Sequence, residues 1–122
     1  MLTFEQLREA NDARAKEWGP EAPLSFNLIE LAGETGEACN VGKKIARREY
    51  GLVGGLDEAH GIDALLDELA DVVICTDLVA RKLGFALDQA IVKKFNQTSE
   101  KHGFKTRLKE DSSHDYRTDL RI

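Results

Sequence analysis

Two acidic stretches restrict what this chain can fold into more than any other feature. Glu30-Leu-Ala-Gly-Glu34-Thr-Gly-Glu37 is answered about thirty residues later by Asp67-Glu68-Leu-Ala-Asp71. On a helix of about 3.6 residues per turn, Glu30, Glu34 and Glu37 fall within roughly 60° of one another. Glu68 and Asp71, three apart, likewise share a face. Like charges at these spacings destabilise an isolated helix by about 0.2–0.5 kcal/mol per pair. Two helices that each carry such a stripe among long apolar runs need a cation between them. A hard divalent metal held by carboxylate oxygens is the simplest answer.

The remaining composition narrows the setting. At 122 residues the chain has the length of one domain with a modest core, and its 42% apolar and 32% charged content fits a soluble helical protein. A net charge of −5 leaves no basic surplus to neutralise phosphates along a nucleic acid, so no nucleic-acid partner is expected. Cys39 and Cys75 lie in apolar helical runs without CxxC spacing, and both are expected as buried free thiols in a reducing compartment. No basic stretch followed by an apolar core opens the chain, and no apolar run reaches the length of a membrane span. A cytoplasmic protein with no membrane partner is the expectation.

In chain order, Thr3-Phe-Glu-Gln6 fits a capping box that starts a helix running to about Trp18, with Phe4, Leu7 and Ala15 facing inward. Gly19-Pro20 and Pro23 break the chain. Ser25 is the expected N-cap of a second helix reaching about Arg48, with an apolar stripe of Leu28, Leu31, Ala38 and Ile45 beside the acidic one. Gly33 and Gly36 each lower its stability by about 1 kcal/mol relative to alanine. Close helix packing explains them, as does room for a ligand beside the stripe glutamates. Lys43, Lys44, Arg47 and Arg48 meet the helix dipole at its C-terminal end. Residues 49–60 read as a connecting loop or a lid. A third helix is expected from about Ile62 to Leu83, its core Leu65, Leu69, Val72, Val73, Leu78 and Val79, closed by Gly84 at C′. A fourth runs from about Leu87 to His102 with Ala90, Ile91, Lys94 and Phe95 inward. The expected organisation is an all-α domain over residues 1–103, a four-to-five-helix bundle completed by oligomerisation. A polar tail, 104–122, would pack on a neighbouring subunit or stay mobile.

Carboxylates without a Cys or His cluster favour Mg²⁺, or Mn²⁺, over zinc. His60, His102 and His114 show no metal-binding spacing and suit solvent-facing or loop positions. Mg²⁺ commonly shares its oxygen shell with substrate phosphates, and Lys94 on the neighbouring helix would complete the charge balance. From spacing alone the chain is an all-α protein with a metal-dependent phosphate-handling site.

Glu34-Thr-Gly-Glu37 and Glu68-Leu-Ala-Asp71 together resemble the ExxE…ExxD pair of the all-α nucleoside triphosphate pyrophosphohydrolases, the MazG-like superfamily. The flanks Leu-Ala-Gly-Glu-Thr-Gly-Glu-Ala and Asp-Glu-Leu-Ala-Asp-Val-Val-Ile carry the same resemblance. So does Leu83-Gly-Phe-Ala-Leu-Asp-Gln-Ala leading into Lys94-Phe95, and the whole spans roughly residues 24–103. The resemblance implies cleavage between the α- and β-phosphates of a nucleoside triphosphate, giving a monophosphate and pyrophosphate. It implies Mg²⁺ on Glu34, Glu37, Glu68 and Asp71, with Glu34 or Glu37 activating water and Lys94 on phosphates. It also implies a homo-dimer or homo-tetramer. Two positions depart from the pattern. Thr98 stands where members often carry an asparagine four residues after the lysine, leaving Asn96 as the candidate contact from that helix. Gly33 stands where some members have a further glutamate, and Glu30 lies one turn away. Trp18, Phe26 and Asn27 are candidates to stack on or hydrogen-bond a base, and a deoxynucleotide, pyrimidine first, is the expected substrate of a pool-cleaning enzyme. Phosphoribosyl-ATP is the alternative substrate. A non-catalytic nucleotide- or metal-binding oligomer and a purely structural helical dimer are the alternatives of other classes.

Overall fold

Thr3 opens the first helix as the capping box predicts: its hydroxyl accepts from the Gln6 amide while the Gln6 side chain accepts from the Thr3 amide. In the computed structural model, which describes residues 1–110, the helices are α1 (Phe4–Trp18), α2 (Leu24–Glu49), α3 (Glu58–Leu83) and α4 (Leu87–Lys101). No strand occurs among the described residues, so the chain is all-α. None of these helices is long and apolar enough to cross a membrane.

Helix ends follow local chemistry. Pro23 is the N-cap of α2, with no side-chain cap bond, and Ser25 lies inside the helix. Proline suits the helix entrance because its extended backbone leads into the first turn. α3 begins one turn earlier than its apolar pattern suggests, because the Asp57 carboxylate accepts from the His60 amide at 3.0 Å. Three helices close alike. Beyond α2, α3 and α4, Gly51, Gly84 and Gly103 take positive φ, and the next residue's amide returns to a carbonyl five back. This is the Schellman arrangement, where glycine alone enters the left-handed region without a Cβ penalty.

The chain forms two compact units. One, Ala22–Val79, holds α2 and most of α3. The 50–57 connector is docked on α2: the Leu56 amide donates to the Lys44 carbonyl, and a Cβ on Gly55 would come within 2.6 Å of the Arg48 nitrogen. Gly61 approaches Ile45 as closely, while Glu30 meets Cys75 at the other end, so the two helices run antiparallel.

The other unit joins Met1–Glu21 to the chain from Ala80 onward. Here Arg8 donates to the Phe85 carbonyl at 2.8 Å. Arg81, 6% exposed, binds Asp12 through Nε and Glu21 through Nη1, and Lys82, 2% exposed, reaches Glu21 at 3.0 Å. Residues 104–110 are non-helical and exposed. They are anchored by Asn96, whose amide donates to the Leu108 carbonyl and whose carbonyl accepts from the Leu108 amide. Residues 111–122, including His114, lie outside the described residues.

Several inward assignments are corrected. Leu28, Leu69, Val73, Phe4, Ile91 and Phe95 are exposed, as are Ala90 and Lys94. The sheltered side of α4 is Val92, Asn96 and Ser99 instead. Cys39 is exposed and only Cys75 is buried. The cause is common to most of them: a pattern of period 3.6 identifies an apolar stripe, not what covers it.

Candidate functional site

The acidic stripes meet. Glu34 projects from α2 toward Glu68 and Asp71 of α3, and one carboxylate oxygen from each lies within 4.8 Å of the other two. Glu34 and Glu68 are half-buried, and Asp71 is exposed. Burial first, then the charges of Asp71, Glu68, Glu37 and Glu30, hold the Glu34 carboxyl above its ordinary range. No basic side chain forms an ion pair with these three carboxylates among the described residues.

Glu37 lies one turn beyond Glu34 on the same face, exposed and outside the close triad. It adds its charge to the site. Glu30, one turn before, is half-buried and accepts a hydrogen bond from the Cys75 thiol at 3.6 Å. Burial, then Glu30, pushes that thiol up to about 12, so it is a neutral donor. The contact was readable: Cys75 is four residues after Asp71, on the same face of α3. The glycines beside the stripe settle one alternative within the chain. A Cβ on Gly33 or Gly36 would meet nothing within 4 Å, so neither is required by a helix of its own chain.

The other expected contacts are distributed differently. Asn27 is buried on α2, its Oδ1 without a partner. Trp18, at the end of α1, is 83% exposed. Lys94 is exposed on α4, in the unit that does not hold the acidic triad. Asn96 spends both ends of its amide on Leu108. The Arg81–Lys82 cluster went unread, although two adjacent cations ending an apolar helix are its signal. Compared with known proteins, the chain matches no family model, no curated protein and no solved structure.

A donor set of three carboxylates suits a hard cation such as Mg²⁺ or Mn²⁺, which takes oxygen ligands and leaves places for water and phosphate oxygens. Burial raises Glu34 most, and the repulsion that its acidic neighbours add is the field that such a cation relieves.

Proposed function

We propose that the chain is a Mg²⁺-dependent nucleotide pyrophosphohydrolase, cleaving a deoxynucleoside triphosphate between its α- and β-phosphates. The observation that carries this reading is the convergence of Glu34, Glu68 and Asp71 from two facing helices, with no ion pair to a basic side chain among the described residues. The spacing of these residues, as ExxE and ExxD, supports the same reaction. Glu34, Glu68 and Asp71 would hold the ion, which supplies positive charge for phosphate oxygens and lowers the pKa of a bound water.

The chain's own groups divide the remaining work. Glu37 makes no hydrogen bond or ion pair among the described residues, so its carboxylate can orient a water and accept its proton. Glu30, held by Cys75, supports the position of the stripe rather than contacting phosphate.

A homo-oligomer belongs to this reading. Ile62, Leu66, Leu69 and Val73 form one exposed stripe along α3, and Val41 and Cys75 are the only buried apolar side chains among the described residues. An exposed apolar stripe along a whole helix supports an interface. A second copy would complete the bundle as a dimer or tetramer in the cytoplasm.

Product analysis tests the reaction. The purified chain is incubated with each common NTP and dNTP, and with phosphoribosyl-ATP, in Mg²⁺ or EDTA, and its mass is read by light scattering. Monophosphate plus pyrophosphate from an oligomer is expected, ended by EDTA and by Glu68→Gln. Diphosphate plus phosphate would assign the wrong bond. Turnover of phosphoribosyl-ATP alone would select the alternative substrate, and no product from any of them would leave a binding protein.

A further inference from the structure

Asn27 is 7% exposed, and its buried Oδ1 accepts no hydrogen bond. Buried side-chain acceptors are nearly always paired, because a carbonyl that leaves water without a donor is destabilising. No other described side chain combines such burial with an unpartnered atom.

Its position gives the deficit a purpose. Asn27, Glu30 and Glu34 stand on one stripe of α2, since a step of seven residues returns to within about 20° on the helix. Glu30 on that stripe meets Cys75 of α3, and Glu34 meets Glu68 and Asp71. Asn27 is therefore the next group on the face that α2 turns toward α3, about 10 Å along the axis from Glu34. That separation is comparable to the reach of a nucleotide from its α-phosphate to the far edge of its base. Between Asn27 and Glu34 the face carries no other polar side chain without a partner.

We infer that Asn27 is the base-reading residue of the site, its amide pairing with an adjacent donor and acceptor on the edge of a nucleobase whose phosphates lie at Glu34, Glu68 and Asp71. The inference rests on the nucleotide reading above. An amide offers one acceptor and one donor side by side, and the pairing edge of a nucleobase presents the complement. A site built to hydrogen-bond a ligand holds unpaired polar groups until the ligand arrives, and it discriminates strongly for that reason. The unpartnered carbonyl is then a stability sacrificed for recognition.

The test separates base from phosphate. Wild type, Asn27→Leu and Asn27→Ala are titrated, in Mg²⁺, with α,β-imido deoxynucleoside triphosphates, which resist cleavage at the bond in question, and with inorganic tripolyphosphate. Binding is read from the shift in melting temperature. Asn27→Leu, which fills the same space without a polar atom, is expected to melt a few degrees above wild type. It should bind the preferred nucleotide at least tenfold more weakly and tripolyphosphate within twofold of wild type. Asn27→Ala should show the same split and excludes an obstruction by leucine. Equal weakening of both ligands, or none of either, would overturn the assignment. The pyrophosphohydrolase reading is judged separately by its products, so a chain that binds nucleotide through Asn27 but forms no monophosphate would sink that reading and leave this one standing.

Discussion

Glu21 and Glu34 are both glutamates near buried helix surface, yet the chain treats them in opposite ways. Glu21 accepts from Arg81 and Lys82, and Arg81 also binds Asp12, so acids and bases meet in one network. The hydrogen bonds from Arg81 and then Lys82 hold its carboxyl below the ordinary carboxylate value. Glu34 faces Glu68 and Asp71 instead, and its carboxyl is held above that value. Charges placed to satisfy each other make a joint in the fold. Charges placed to repel each other are destabilising unless a ligand relieves them, and clusters of that kind gather at functional sites. The contrast predicts substitutions of opposite sign.

The largest effect is expected at Arg81. Arg81→Met keeps the length of the side chain and removes its charge, taking the guanidinium away from Asp12 and leaving Glu21 the Lys82 ammonium. Breaking a fully buried pair costs about 3–5 kcal/mol, and the partial exposure of both acids brings this to about 2–3 kcal/mol. A melting temperature lower by about 10 °C follows. An unchanged melting temperature would dissolve the contrast between the two regions.

Glu34→Gln should move the other way. In EDTA it removes one of three mutually repelling carboxylates and melts above wild type. In saturating Mg²⁺ the order reverses, because wild type gains binding free energy and the variant loses a ligand. At a concentration about 100 times the dissociation constant that gain is about 2.7 kcal/mol. Melting curves for both proteins, with and without Mg²⁺, test the reversal. If Mg²⁺ stabilises neither protein, the triad is an acidic surface and nothing more.

The two regions also differed in how far they could be read in advance. The acidic stripes were legible because helix geometry converts spacing directly into a shared face, so Glu34 and Asp71 could be aimed before anything was known of their contacts. The Thr3 capping box and the Gly84 closure were legible for the same reason: each is a bond between residues a few positions apart. The Arg81 network was not, because its partners Asp12 and Glu21 are about sixty to seventy residues away and chain reversal decides the meeting. Asn96 shows a local signal meeting a distant answer. It lies on α4 where a ligand contact was expected, and its amide is taken up by Leu108. Leu69 and Val73 of α3 were assigned to the core although both are exposed, because the period of an apolar helix does not say which of its faces the chain covers.

The smallest expected effect lies in pH, and it sharpens the comparison within a single protein. Glu34 is held above its ordinary value of 4.5, so its folded-state advantage is complete below pH 4.5 and is lost as pH rises through its folded value. Glu21 is held below 4.5, so its contribution is complete above pH 4.5 and is lost as pH falls through its folded value. Acidifying metal-free wild type from neutrality toward pH 4.5 should therefore relieve the triad before it touches the network. The readout is the melting-temperature difference between wild type and Glu34→Gln. That difference cancels contributions common to both proteins, including the exposed His60–Asp57 pair. It should be largest at neutral pH and shrink steadily toward pH 4.5, and Mg²⁺ at neutral pH should reverse its sign. A difference that stays constant across this range would mean that Glu34 does not feel its neighbours, and the repulsion on which the metal reading depends would be absent.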